Sequence, residues 1–353
     1  EKHPDWECVI STTTRTGYEL ARQKYAPRSV FYCPLDFSWA VRTALRRIHP
    51  QLLILVELEL WPNLIRWAKR SSVPVAIVNG RLSASSARGY SRIQFLMRRL
   101  LRSTSLVAVQ NEEYAERFRQ LGAVPDQIHV TGSLKFDGID LDRENPATRQ
   151  LAALAGISDQ DVVFLAGSTQ SPEEQFAVSV FRQLVSRYPR LRLILVPRHP
   201  ERFAEVATML DQQGIEWQRR SELDADASNT PPPVLLVDAM GELGAWWGTA
   251  QIAFVGGSLG KRGGQNMIEP SGYGAAVSFG PHTQNFRDTV EMLLQQEAAV
   301  VVQDEQELTS FVQQCLEDPE SARQLGQRAQ RFVASQNGAT ERTVALLESL
   351  VNT

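Results

Sequence analysis

The sequence predicts an α/β protein made of two doubly wound domains, each a parallel sheet with helices on both faces. Short apolar runs recur along the chain with helical stretches between them, the spacing of βαβ units. The runs are near-continuously apolar rather than alternating, as strands buried on both faces are. At 353 residues the chain also exceeds the usual size of a single core.

Taken in order, the first half places strands at CVISTTT (8–14), VFYCPLD (30–36), LLILVELE (52–59), VAIVNG (75–80), LVAVQN (106–111) and IHVTGS (128–133). The second half places them at VVFLAGS (162–168), LILVPRH (193–199), VLLVDAM (234–240), IAFVGGS (252–258), AAVSFGP (275–281) and AVVVQD (299–304). The boundary is expected in the polar FDGIDLDRENPATRQ (136–150), which contains Gly138 and Pro146. This gives an N-terminal domain over 1–140 and a C-terminal domain over 150–353, the last helix packing back on the first domain. DADASNTPPP (224–233) reads as a loop within the second domain. Two such domains leave a cleft between the C-terminal edges of their strands, where ligands bind in doubly wound folds.

Net charge is only −3, but it is unevenly spread. Residues 1–145 carry 21 Lys+Arg against 15 Asp+Glu, and the remainder 16 against 25. Between Glu59 and Glu112 there is no acidic residue and there are nine basic ones, from Arg66 to Arg102. Such a field attracts phosphates, of nucleic acid or of a lipid surface, and a solvated basic face reads the same way. Cys8, Cys33 and Cys315 have no CxxC spacing, which argues against a metal site or disulfide framework and fits a reducing compartment. No apolar run is long enough to span a bilayer. The chain opens Glu1-Lys2-His3, so it is expected to be a fragment with its natural N-terminus upstream.

Function gathers at strand ends in open α/β sheets, and GGSLGKRGGQNMIEP (256–270) follows one. It sets five glycines, two cations and one carboxylate between an apolar run and a helix start. The backbone is expected to turn sharply at Gly256 and Gly257, after which GGQNMIEP starts a helix with Asn266 as N-cap, and the N–H groups and positive dipole of that helix N-terminus make a seat for phosphate. Glu269, one turn in, is placed to accept from ribose hydroxyls. A glycine-rich turn before a capped helix, with no ligand, reads the same way; GxxxxGK[ST] does not occur, so this is no Walker A loop. LILVPRHPERF (193–203) delivers Arg198 and His199 to another strand end, Arg198 to fork onto phosphate or carboxylate oxygens and His199 to pack or orient. DAMGELGAWW (238–247) follows a third, where Met240-Gly241-Glu242 can lay backbone against a base.

In the first half, VELELWPN (56–63) puts Glu57 and Glu59 on one face of a strand end by period-two alternation. Two carboxylates in an apolar run are costly to bury without partners. VTGSLKFD (130–137) sets Lys135 after the last strand of that domain, to offset negative charge or pair with Glu57; an ordinary salt bridge is the alternative. DLD (140–142) and DAD (224–226) lie in polar linkers and are not read as metal sites.

In their order, TTT-R-TG, ELWPNLI, NGRLS-SSARGYSR, QNEE, TGSLKFD, LVPRHPERF, MGEL, FVGGS, GGQNMIEP and GPHTQNF resemble one family over nearly the whole chain. It is the 3-deoxy-D-manno-octulosonic acid (Kdo) transferase family of lipopolysaccharide biosynthesis. The resemblance implies the GT-B glycosyltransferase type of fold, two Rossmann-like domains facing a cleft. It implies transfer of Kdo from CMP-Kdo to an anionic, phosphorylated lipid A precursor at the cytoplasmic face of the bacterial inner membrane. CMP contacts would fall on Pro197 and Arg198, on Met240, Gly241 and Glu242, and on Asn266, Met267, Ile268 and Glu269. Glu57 and Lys135 would stabilise charge. In an inverting displacement an acceptor hydroxyl attacks the anomeric carbon while CMP departs, Arg198 and the helix N-terminus stabilising its phosphate. A leaving group with one phosphate needs no divalent metal, and no cofactor is expected. The membrane surface and the acceptor would meet the basic stretch 66–102.

Two features depart from the family. Its general base is a Glu on a glycine-containing loop after the first strand, behind an N-terminal membrane anchor. Both would lie before Glu1, so the chain as given is expected to bind CMP and to transfer poorly or not at all. After AGST the family has His and then Gly-Glu, whereas Gln170-Ser171-Pro172-Glu173 stands here, which bears on donor positioning or acceptor choice. A UDP-sugar-dependent enzyme of the same architecture and a non-catalytic nucleotide- or lipid-binding module remain open readings. Nucleic acid is not an expected partner, because the basic stretch lacks interleaved aromatics for base stacking.

Overall fold

The structure, a computed structural model, describes residues 3–223 and 232–351. DAD (224–226) lies outside the described residues. The chain divides into two compact units, Glu1–Lys135 with Gly338–Thr353, and Phe136–Asn337. Both are built from parallel strands alternating with helices, so the α/β, Rossmann-like class holds.

The first unit contains β1 (Ile10–Thr12), β2 (Val30–Tyr32), β3 (Leu53–Val56), β4 (Val75–Gly80), β5 (Leu106–Val109) and β6 (Ile128–Val130). All six expected strands form, each no longer than its apolar run. They do not join one sheet: β1 pairs with β2 alone, and β3 to β6 form a four-stranded sheet in sequence order. One face of that sheet buries Leu55, Ile77 and Val107 against Ile65, Leu101 and Phe118 from the helices. The other presents Ala76, Val78 and Leu106 to Leu347 of the helix Ala339–Val351. Burial on both faces fails at edge strand β3, where Ile54 and Val56 stay 43% and 52% exposed. The terminal helix covers the central strands and leaves these two side chains uncovered.

The second unit holds β7 (Val162–Thr169), β8 (Leu191–Pro197), β9 (Trp217–Arg219), β10 (Val234–Leu236), β11 (Ile252–Val255), β12 (Ala276–Phe279) and β13 (Val300–Val301). They form a seven-stranded parallel sheet in the order β13-β12-β11-β7-β8-β10-β9. β9, Trp-Gln-Arg, is the strand that the apolar runs did not reveal, since only one of its residues is apolar. Side chains alternate strictly across this sheet. Val163, Leu165, Ile194, Val196, Ala253 and Val255 line one core with Trp246 and Trp247. Phe164, Ala166, Leu193, Leu195, Ile252 and Phe254 line the other. From β7 the chain winds outward through β8 to the edge strand β9, returns to β10 between them, then crosses back to β11 and winds the opposite way. The strand order therefore reverses between β7 and β11, the place where such sheets open a ligand crevice.

The helix Pro319–Gln336 lies so close to the loop before β12 that a Cβ on Gly326 would stand 2.0 Å from the Gly274 carbonyl oxygen. Gly326→Ala is expected to cost about 1–3 kcal/mol by overpacking. The readout is a lower denaturant midpoint at unchanged slope; wild-type stability would show that this helix can shift without cost.

Candidate functional site

At the C-terminal edge of the second unit's sheet, the glycine stretch leaves β11 at the point of reversal. Gly257 has φ +67, and a Cβ on Gly256 would meet Thr169 Cα at 2.6 Å and the Ser168 carbonyl oxygen at 2.8 Å. Only glycine fits there. The amides that follow this turn do not face solution. Glu173, 1% exposed, takes all of them: Oε2 accepts from Gly257 N at 2.7 Å, and Oε1 from Ser258 N and Leu259 N at 2.9 Å each. Oε2 also accepts from Gln170 N at 2.9 Å. Burial pushes the Glu173 carboxyl above its ordinary value, and the four amide hydrogen bonds hold it back.

Beyond that turn the loop is fixed from its flanks. Gly264 N donates to the Gly257 carbonyl at 2.8 Å, and the Asn285 side-chain amide donates to the Arg262 carbonyl at 2.9 Å. Gly280 N donates to Ser258 Oγ at 2.8 Å. The next amides, of Gln265, Asn266 and Met267, donate to no acceptor among the described residues. The helix that follows is Ile268–Gly272, five residues, with Met267 rather than Asn266 at its N-cap. Asn266 instead braces the first turn: Oδ1 accepts from Ile268 N at 3.0 Å and Nδ2 donates to Glu269 Oε1 at 2.9 Å. So short a helix sums few peptide dipoles, and its loose amides are what it offers an anion. The Met267 and Ile268 side chains are buried in the core, which leaves them only backbone to contribute.

Two other strand ends complete this edge. Pro197 closes β8, and Arg198 follows with its main-chain N bonded to the Thr169 carbonyl at 3.0 Å. Its guanidinium is exposed, with no ion-pair partner among the described residues. His199 stands beside Glu201, Nδ1 to Oε1 being 4.0 Å. After β10, Gly241 takes φ +88 and Met240 is exposed. The Glu242 carboxylate is already engaged, accepting from Arg220 Nε and Nη2 at 2.9 Å each and from Trp246 Nε1 at 3.1 Å. Backbone is therefore what this turn presents. With strand spacings of about 4.8 Å, these groups lie along the neighbouring strands β11, β7, β8 and β10.

In the first unit, β3 ends at Val56, so Glu57 and Glu59 lie in a turn and period-two alternation does not relate them. Neither is buried, and the burial cost expected of them does not arise. Glu57 instead holds a left-handed backbone, φ +58, pinned by its N–H to the Val78 carbonyl at 2.9 Å. Such a conformation in a non-glycine residue is strained and collects at functional sites. Glu59 accepts from Trp61 Nε1 at 2.9 Å. Lys135 is exposed in the turn Leu134–Phe136 after β6. β3 and β6 are three strand spacings apart, about 14 Å, but that turn is drawn back. Asn79, buried at the end of β4 with φ +53, accepts from Leu134 N through Oδ1 at 3.2 Å. This carries the Lys135 segment toward β4, the neighbour of the strand that ends at Glu57.

Arg220, Asn79 and Asn285 are organising residues that the sequence did not single out, and Glu173 entered it only as part of the stretch Gln170-Ser171-Pro172-Glu173. Only Glu173 left a local trace, an acid three residues after Gln170, in capping-box spacing. Among the described residues, no three His, Cys, Asp or Glu converge as metal ligands, and no helix is long and apolar enough to cross a membrane.

A protein of two such units, with its backbone turns gathered at strand ends, is of the GT-B glycosyltransferase type. Anabaena Alr3699/HepE, solved in complex with UDP, shares the fold at a TM-score of 0.59 and 14% identity, over 98% of this chain and 92% of that one. Residues 1–138 match the family model of 3-deoxy-D-manno-octulosonic-acid transferase (kdotransferase). The chain is 34% identical over 352 residues to the 3-deoxy-D-manno-octulosonic acid transferase of Haemophilus influenzae, over 99% of this chain and 81% of that protein. The Bordetella pertussis enzyme of the same name is 35% identical over 322 residues, 90% of this chain and 73% of that protein. The chain belongs to the Kdo transferase family and is a glycosyltransferase.

Burial pushes the Glu269 carboxyl above its ordinary value, and the Asn266 amide offsets this in part. A carboxyl raised in the folded state costs stability once ionised; the cost is absent below the unfolded value, about 4.3, and complete above the folded one. Glu269→Gln is therefore expected to raise Tm at neutral pH, the gain shrinking as pH falls toward about 4. Paired thermal unfolding across that range checks it; a gain independent of pH would contradict the assignment.

Proposed function

We propose that the chain transfers Kdo from CMP-Kdo to a phosphorylated lipid A precursor, with CMP held on the unit Phe136–Asn337. One observation carries the reading: the amides of Gln265–Met267, which have no acceptor among the described residues, lie on the same sheet edge as the Arg198 guanidinium, which has no ion-pair partner among them. A single phosphate needs such N–H donors and one forked cation. Glu269 accepts from the ribose hydroxyls, and the backbone of Met240, Gly241 and Glu242 faces the base. Pro197 and the backbone of Met267 and Ile268 complete the cradle. As the glycosidic bond to phosphate breaks, charge grows on the departing CMP, and Arg198 stabilises it. Glu57 and Lys135 act at the opposite partner of the reaction, offsetting charge at the acceptor and the transferred sugar. The relatives' shared name supports the sugar.

The acceptor side follows from charge and exposure. Arg66, Lys69, Arg70, Arg88, Arg92, Arg98, Arg99 and Arg102 have no carboxylate partner among the described residues. Around the helix Gln94–Leu101, Ile93, Phe95 and Leu96 are exposed beside Arg92 and Arg99, Phe95 at 82%. Apolar side chains among unpaired cations suit a phosphorylated lipid at an anionic membrane surface. The cytoplasmic face of the inner membrane is the site this reading assigns.

Thermal unfolding with CMP, and with UMP, UDP and AMP as controls, tests the donor. At about a hundredfold excess over Kd a ligand of the folded state adds about 2.7 kcal/mol, several degrees in Tm. A shift with CMP alone is expected; a larger one with UDP would instead indicate a diphosphate-sugar enzyme of the same fold. Arg198→Ala is expected to weaken CMP about 10–100-fold by calorimetry, the loss of one charged hydrogen-bond set. Unchanged affinity would remove Arg198 from the phosphate.

A further inference from the structure

We infer that Glu173 is a positioning residue for the nucleotide: its carboxylate fills the anion pocket of the Gly257–Leu259 turn from within, so that the donor phosphate is received by the amides of Gln265–Met267 instead. This rests on the CMP reading above and says where on that edge the phosphate sits.

Three successive amides aimed at one point form a concavity that binds anions, and this one lies where the strand order reverses, between β7 and β11. Glu173 opens the helix Glu173–Leu184, which follows β7, and its side chain reaches across to the turn that follows β11. The neighbouring Glu174, equally buried, is ion-paired with Arg202. Glu173 has no cation within 4 Å among the described residues; its carboxylate rests on four N–H groups. A Cβ on Gly256 would stand 2.7 Å from Glu173 Oε2, so the first glycine of the stretch makes room for this carboxylate. The second, at φ +67, turns the next amides toward it.

The arrangement reaches the proposed phosphate seat through a short chain of bonds. Glu173 fixes Gly257 N, and the Gly257 carbonyl accepts from Gly264 N at 2.8 Å. Gly264 directly precedes Gln265. Releasing the turn therefore removes one of the two anchors of the three amides beyond it, the other being Asn285. Asn285 holds the same loop through its main-chain N–H, which donates to the Gly263 carbonyl at 2.9 Å, and its side-chain amide, which donates to the carbonyls of Arg262 at 2.9 Å and Gly264 at 3.4 Å.

Glu173→Gln keeps the shape but turns an NH2 toward two amide donors. In hydrogen exchange of the variant, peptides spanning 256–267 are expected to exchange at least about tenfold faster, those of β8 and β10 remaining unchanged, since two charged hydrogen bonds are lost. The folded variant's Kd for CMP is expected to rise by at least about tenfold. A role in stability alone lowers Tm and leaves that Kd unmoved, which would overturn the inference. Exchange in the wild-type chain with and without CMP decides the matter if the variant does not fold. CMP is expected to slow 265–267 and to leave 257–259 as they were; protection of 257–259 would place the phosphate in the turn and overturn it. If wild type does not bind CMP, the donor reading fails, while the loosening of 256–267 in the variant still tests the anchoring by Glu173.

Discussion

A buried carboxylate without a cation, Glu173, sets the geometry on which the candidate site depends. Placing a charge in the interior is costly unless its lone pairs are met, and here four backbone amides meet them. Those amides come from two loops that leave the adjacent strands β7 and β11 just beyond their last ladder bond, Gly256 N to the Gly167 carbonyl at 2.9 Å. Because both loops belong to the point where the strand order reverses, one side chain ties the two halves of the second unit's C-terminal edge. The glycines at 256 and 257 are the steric condition for it. Phosphate-binding glycine loops use the same backbone geometry with the anion supplied by a ligand; in this chain the anion is built in.

The first unit organises its edge by strain rather than by buried charge. Glu57 and Asn79 both hold left-handed backbone at the ends of neighbouring strands, with φ +58 and +53. Each is over-determined by its neighbours: Glu57 by the Val78 carbonyl, Asn79 by Leu134 N and by Gln110 Nε2, which donates to its carbonyl at 3.1 Å. Asn79 thereby fixes the return of the chain after β6, and with it the start of the Lys135 turn.

Most of the architecture was legible in apolar runs, because strands buried on both faces must be apolar throughout. That logic found twelve strands and missed β9, whose Trp-Gln-Arg sits at the sheet edge with all three residues only half buried. It also ran too far at β3, reading LVELE as continuing strand when the left-handed turn at Glu57 ends it. The motifs named the family and the strand ends that carry its residues. They did not reveal Glu173's partners, because Gly257 is 84 positions away and the pairing exists only once β7 and β11 lie side by side. Local spacing announces a cap or a turn; it does not say which distant amides a carboxylate will meet.

In the proposed donor site, with the amides of 257–259 engaged and those of 265–267 open, position along the glycine stretch matters. The most direct measurement is a crystal structure of the chain soaked with CMP. Phosphate density is expected within hydrogen-bond reach of the Gln265–Met267 amides and the Arg198 guanidinium, with Glu173 still seated on Gly257, Ser258 and Leu259. Phosphate lodged in the Gly257–Leu259 turn, with the Glu173 side chain displaced from it, would contradict the account.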